Sequence, residues 1–284
     1  MNRVTGKKIN HVPKIMGIVF SKNRAMQLHA LIESYLKYTG GNVTLHIVYE
    51  CSTNLHVKSY EKLIKNYASE RIVFTRQSNF KMNIVSIIKR NKLGYYFFLV
   101  DDILFTRKVD FIKITSFLNI FTIYSLRLGQ NIEYDTLLNK NIKIPKIKIQ
   151  SKRELSIMKW KWIKGDGPWG YPFSLDGNIF PSKTVTVLLR LLKYNNPTEL
   201  ELGLQKFNKI YFWVRGKAPF TSTIMNTPLN RVQNDVNNYH GDLDVDILAS
   251  QYLNNIKIDI TPFNKFRNSS THLIVDIKYA NQKI

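Results

Sequence analysis

Two adjacent carboxylates, Asp101 and Asp102, end the apolar run of residues 95–100 and are followed by Ile103, Leu104 and Phe105. A strand covered on both faces is apolar throughout, and ligands of open α/β sheets sit beyond the carboxyl ends of such strands. Paired acids in that place suit a hard divalent cation, Mg²⁺ or Mn²⁺, that also bridges phosphates. An aspartate can equally open a helix as its N-cap. The rest of the chain has to choose between these two uses.

A second chemistry-bearing stretch lies between residues 160 and 180. It combines Trp160, Trp162 and Trp169 with Gly165, Gly167, Gly170 and Gly177, and it contains Asp166, Tyr171 and Asp176. Flat aromatic faces and a backbone free to approach a ligand make a shaped loop. The Asp176–Gly177 pair is also a strong turn signal in its own right.

The elements that must position these groups follow from residue patterning. Residues 15–20 form a short apolar run, and residues 25–38 carry apolar side chains at helical spacing up to Gly40–Gly41. Strands are expected at 43–49 and 71–75, helices at 57–68 and 80–89, and the fourth strand runs into Asp101. This alternation describes β-α-β crossovers, hence an α/β fold with a mainly parallel sheet and helices on both faces. The second half is less regular. It holds an expected helix at 111–120, a strand at 122–127, lysine-rich strands after it, and helices at 181–192 and 196–207. A polar, asparagine-rich tail begins at Asn230, with a final strand expected at 273–279. No repeat or low-complexity linker divides the chain, so one unit is expected over 1–284: a nucleotide-binding half at 14–105, an acceptor-binding half at 106–232 and a C-terminal extension at 233–284.

The 42 Lys and Arg residues outnumber the 20 Asp and Glu residues, for a net charge of +22 over 284 residues. Nucleic acid, an anionic membrane surface and a phosphorylated substrate are the partners that such a charge invites. Richness in Asn, Ile, Lys and Tyr also looks like base composition, which leaves part of the excess without a task. The densest basic stretch, 141–164, alternates lysine with isoleucine and tryptophan, as a half-exposed strand with a basic outer face does. No apolar stretch approaches the about 20 residues that a membrane span needs, and no secretory signal is evident at the N-terminus, so a cytoplasmic location is expected. The single Cys51 excludes an intramolecular disulfide and a cysteine zinc site. The six histidines show no ligand spacing, and His240 with the rest is expected to be structural or solvated.

With its elements in this order, the chain resembles the GT-A-type glycosyltransferases, close to the family 2 nucleotide-sugar transferases of bacterial surface-polysaccharide pathways. The residues that carry the resemblance are Phe20–Arg24, Val100–Ile103, Ser125–Gly129, Tyr171–Gly177 and Asn196–Glu201, with Asn230–Gln233 as an extension. The resemblance implies a nucleoside-diphosphate sugar donor, a divalent metal, and a glycan or lipid-linked acceptor. By position it implies Ser21 and Arg24 near the nucleotide, Glu50 near base or ribose, Asp101 near ribose and Asp102 on the metal. The Asp101–Asp102–Ile103 sequence departs from an Asp-x-Asp spacing and leaves open whether one acid or both are ligands. An inverting transferase also needs a carboxylate to take the acceptor proton. Asp176 is the candidate, with Asp166, Glu199 and Glu201 as competitors, while a retaining enzyme would need no such base. The tryptophans and Tyr171 offer an acceptor platform or core packing. Two other classes compete: a nucleic-acid-binding protein using its basic surface, and a sugar-phosphate nucleotidyltransferase, whose glycine-rich loop Ser21–Arg24 lacks.

Overall fold

The computed structural model describes residues 14–41, 43–90, 94–152, 154–208, 213–230, 241 and 243–282. Its first half alternates as the sequence indicates: β1 (Lys14–Lys22), α1 (Ala25–Thr39), β2 (Thr44–Glu50), α2 (Asn54–Tyr67), β3 (Ile72–Arg76), α3 (Phe80–Lys89) and β4 (Gly94–Val100). Local chemistry sets the helix ends. Gly40 takes the left-handed conformation at φ 67° and returns its N–H to Leu36, while Asn79 accepts from Met82 N at 2.9 Å to open α3. The four strands lie in the order β3-β2-β1-β4, and all three pairings are parallel.

β4 shows why its sequence is apolar throughout. Phe97 and Leu99 enter a core shared with α1, α2 and residues from 111–114 and 248–252, whereas Tyr96 and Phe98 enter a second core with α3 and residues from 185–204. Alternate side chains of one strand thus feed opposite faces of the sheet.

Past β4 come β5 (Ile103–Phe105), α4 (Phe111–Thr115), β6 (Thr122–Ser125), the short pair β7 (Tyr134–Asp135) and β8 (Lys140–Asn141), β9 (Lys148–Lys152), β10 (Leu155–Lys161) and β11 (Asn178–Pro181). They are followed by α5 (Ser182–Leu191), α6 (Pro197–Gln205), β12 (Arg215–Ala218), β13 (Ile224–Asn226), α7 (Val245–Leu253), β14 (Ile256–Ile258) and β15 (Tyr279–Asn281). β11 inserts antiparallel between β4 and β6, β12 lies parallel to β6, and β10 and β9 add antiparallel beyond it, completing nine strands. The parallel half of the sheet therefore continues into a mixed half.

Three expectations are corrected. The helix from 111 ends at Thr115, because the Asn119 side chain accepts from Phe121 N and Thr122 Oγ1 and turns the chain into β6. The final strand begins only at Tyr279; the segment before it is held instead by Leu273 N donating to Asn226 O. The tail also contains α7, capped by Asp244, whose side chain accepts from Asp246 N and Ile247 N. His240 and residues 231–233 of the Asn230–Gln233 block lie outside the described residues.

Of the two uses left open for the tryptophans, core packing is the one found. Trp160, Trp162 and Trp169 are all buried and meet edge to face, with ring centroids 4.8 and 4.9 Å from that of Trp160. Alternation along β10 turns Trp160 inward, and the Trp160 and Trp169 indole N–H groups find backbone carbonyls there. Trp169→Ala is therefore expected to lower the unfolding free energy by about 3–5 kcal/mol in urea titration. A loss below about 1 kcal/mol would show that the ring is not a core element.

Candidate functional site

The chain reverses at Asp101–Asp102, directly past β4, and enters β5, which pairs antiparallel with β13. That ribbon draws the segment after β13 over the acids, where Thr227 N donates to Asp102 O at 2.9 Å. β1 ends beside them, since Phe20 is in register with Val100. The consequence is a pair of carboxylates only 3% and 7% exposed.

Such a pair needs compensation, and Arg24 provides it from the start of α1. One guanidinium nitrogen, Nη1, donates to Asp101 Oδ1 and to Asp102 Oδ2, each at 3.1 Å. Nε donates to Asn230 Oδ1 at 2.7 Å, and Nη2 to the Asn230 carbonyl. Burial alone would favour the neutral guanidine, but Asp101 and Asp102 outweigh it and hold the Arg24 pKa above its ordinary value. The second Asp101 oxygen accepts from Ser21 Oγ at 2.9 Å and from Lys22 N at 3.2 Å, and Ser21 in turn meets the buried Tyr60 hydroxyl.

Asp102 differs from its neighbour in having its other oxygen, Oδ1, buried with no partner among the described residues. Burial pushes its carboxyl up against the pull of Arg24, with Asp101 and Asp176 adding like charge. Asn226 Oδ1, Thr227 Oγ1 and Asn230 Nδ2 on the segment drawn over the acids, and Arg127 Nε beside Asp176, are likewise buried with no partner among the described residues. Polar atoms stranded together in this way point to an absent polar ligand. Among the described residues no group of three or more His, Cys, Asp or Glu side chains could hold a metal. The donor set fits a hard cation held by one carboxylate and completed by ligand oxygens, rather than an all-protein cage.

Asp176 reaches the same edge because β11 runs backwards. Its start then lies beside the ends of β4 and β6, locked by Gly177 N to Phe98 O at 2.7 Å and by Leu126 N to Gly177 O at 3.1 Å. Gly177 has φ 78°, a conformation that favours glycine. Asp176 Oδ2 lies 3.0 Å from His272 Nε2 and 3.5 Å from Arg127 Nη1. Burial raises its pKa, but His272, Arg127 and Asn226 together outweigh that and hold the carboxyl below the usual range. Glu201 sits behind this pair, accepting from Leu175 N at 2.7 Å; burial and the Asp176 charge push its carboxyl up. The Arg127 guanidinium faces the Tyr171 ring at 6.0 Å.

Of the remaining candidates, Glu50 shares this sheet edge and the others fall elsewhere. Glu50 stands at the same sheet edge, in register with Lys22, and its side chain pairs with Lys22 Nζ at 2.9 Å and Gln77 Nε2 at 3.2 Å. Asp166 pairs with Lys140 at the surface, and Glu199 closes a cap with Asn195 and Asn196. Asn230 opens the Asn230–Gln233 block of the resemblance, but no role attaches to it from sequence, and His272, Asn226 and Thr227 carry no signal there. They arrive by tertiary pairing, through the Asn226–His272 bridge and Asn226 N donating to Thr271 O. No local spacing signals that pairing.

No family model matches the chain. Among curated proteins it is similar to the bifunctional glycosyltransferase pgtA of Dictyostelium discoideum, 26% identical over 211 residues, a match covering 66% of this chain and 27% of that protein. The chain thus corresponds to little more than a quarter of that relative. Among solved structures it superposes on Staphylococcus aureus TarS residues 1–349 in complex with UDP with 16% identity and a TM-score of 0.43, covering 72% of this chain and 57% of the other. A nucleotidyl transferase from Methanothermobacter gives 9% identity and a TM-score of 0.39, covering 72% and 86%. Superpositions at these TM-scores bear on neither substrate nor mechanism.

Because Asp176 is held below its unfolded pKa, its stabilisation is fully present above the ordinary carboxylate value near pH 4 and is lost as pH falls through the lower native value. Asp176→Asn, which leaves the buried Arg127 without this partner, should destabilise by about 3 kcal/mol or more between pH 5 and 7. The difference from wild type should narrow below about pH 4. Urea titrations across that range check both statements.

Proposed function

We propose that the chain is a glycosyltransferase that moves a sugar from a nucleoside-diphosphate donor to a hydroxyl group of a glycan or lipid-linked acceptor. The observation that carries this reading is the buried, unpartnered Asp102 oxygen at the carboxyl edge of a parallel sheet, with Asp176 across from it. The similarity to a glycosyltransferase supports it, as does the agreement of that edge with where open α/β sheets take ligands. No described helix is long and apolar enough to cross a membrane.

In this reading Ser21 and Arg24 orient Asp101, and the end of β1 with Glu50 faces the nucleotide. Asp102 holds a divalent cation, Mn²⁺ or Mg²⁺. That ion, when bound, supplies the positive charge that offsets the charge developing on the departing diphosphate. The chain's own residues do the rest. Asp176 accepts the proton of the acceptor hydroxyl as its oxygen bonds to the anomeric carbon, and the bond to the diphosphate breaks with its electron pair leaving on phosphate. One displacement of this kind inverts the anomeric centre. His272 and Arg127 fix the orientation of the base, and the Tyr171 ring borders the acceptor side.

Thermal unfolding with a panel of nucleoside diphosphates and nucleotide sugars, with and without Mn²⁺, tests the assignment. One nucleotide should stabilise the protein by about 2.7 kcal/mol at a hundred times its Kd, with the metal-dependent part missing in Asp102→Asn. Asp176→Asn should keep that response and lose about 10²–10⁴-fold in transfer rate. Absence of stabilisation by any nucleotide, or a metal-dependent response intact in Asp102→Asn, would overturn it.

A further inference from the structure

The outer part of the sheet carries a feature that the carboxylate site does not use. In register across β9, β10 and β12, Lys148 stands opposite Lys159, and Lys159 opposite Lys217. In the next row Lys161 stands opposite Arg215. Residues directly opposite one another share a face, and like charges so placed repel. None of these five cations forms an ion pair among the described residues. Neither β9 nor β10 contains a carboxylate, and Glu154 in the turn between them is 85% exposed and paired with Lys113.

Lys217 is the sharpest case, because it is only 4% exposed. Its ammonium donates to the Phe117 carbonyl at the end of the turn after α4, and Lys152 Nζ donates to Ser116 O beside it at 2.8 Å. Burial, reinforced by Lys159 and Lys152, lowers the Lys217 pKa to about 8. A buried cation without an acid costs stability, and an arriving anion reverses that cost. Lys217, Lys159 and Arg215 line a cavity of about 400 Å³ with Thr122, Phe121 and Trp213. Phe121 is 51% and Trp213 39% exposed, so flat apolar surface stands beside the cations.

We propose that this cavity is a binding site for a compact anionic sugar, one bearing a phosphate, sulfate or carboxylate group. Lys217, Lys159 and Arg215 take the acid group through charge-assisted hydrogen bonds, and Phe121 and Trp213 take the apolar face of the ring. The volume lies in the range of small-molecule sites. The position is distinct from the carboxylate edge. β11 is antiparallel to both β4 and β6, so β6 runs with β4, and the cavity at the start of β6 and β12 lies at the opposite end of the strands from Asp101 and Asp102. Recession of Lys217 favours a small ligand over a bilayer or a nucleic-acid backbone, which would meet the exposed Lys148 and Lys161 first.

Isothermal titration of the full chain with inorganic phosphate, a hexose phosphate and the neutral hexose tests the site, with a single-stranded oligonucleotide and phosphatidylglycerol vesicles as the other anions. The hexose phosphate should bind more tightly than phosphate, and the neutral hexose should not bind. Lys217→Met and Lys159→Gln should each weaken the hexose phosphate by about tenfold or more, while Asp102→Asn should leave it unchanged, which separates this site from the donor site. Lys159 is half-buried, so Lys159→Gln carries the test should Lys217→Met fail to fold. Hexose phosphate binding that is absent, equal in wild type and both lysine variants, or lost in Asp102→Asn overturns the proposal. So does lysine-dependent binding confined to the oligonucleotide or the vesicles.

Discussion

Arg24 is the group on which the carboxylate edge depends. The backbone turn after β4 places two carboxylates side by side with almost no water, an arrangement that would otherwise force one of them to stay protonated. A single guanidinium answers both, and with its remaining donors it ties the segment after β13 to α1. Lysine could not do this, because it offers one point charge where the site needs a planar fork reaching three groups. Three stretches far apart in sequence, around residues 24, 101–102 and 230, meet at this one side chain.

The second constraint is the direction of β11. In a wholly parallel sheet its start would lie at the far end of the strands, and Asp176 with it. By running backwards it brings that aspartate to the ends of β4 and β6, where Arg127 follows β6 and His272 arrives on the strand-like segment joined to β13. Asp176 and Asp102 are thereby driven apart in character. Asp176 is held ionised by His272 and Arg127, whereas Asp102 is pushed toward neutrality with an oxygen to spare. Two carboxylates whose surroundings shift them in opposite directions are suited to different tasks.

Charge is also segregated between the two ends of the sheet. Acids gather where β1 and β4 end, while β9, β10 and β12 carry cations in facing rows. The overall excess of positive charge is therefore partly organised: the lysine and arginine side chains of β10 and β12 face one way, and Trp160 between them faces the core.

Legibility in the sequence followed the range of the interactions concerned. Periodicity and capping are local, so residues 80–89 gave α3 with its ends, and the apolar run before Asp101 gave β4 buried on both faces. The alternation over 141–164 likewise indicated a strand with a basic outer face, found as β9 and β10, though it could not say that Trp160, Trp162 and Trp169 would close on one another in the core. Asp101 and Asp102 could be named because they end an apolar run, and Asp176 because an Asp-Gly turn marks it, whereas Ser21 and Arg24 followed only from the family resemblance. His272 and Asn226 could not be named, and Asn230 carried no role from sequence, since what brings them to the acids is a ribbon between β5 and β13 and a single bridge to the tail. The amino-acid sequence by itself determined the elements and which acids stand at their ends, because those depend on neighbours a few residues away. Only the tertiary structure decided the direction of β11, the partners of each carboxylate and which oxygen was left free, because those depend on pairings between segments up to about two hundred residues apart.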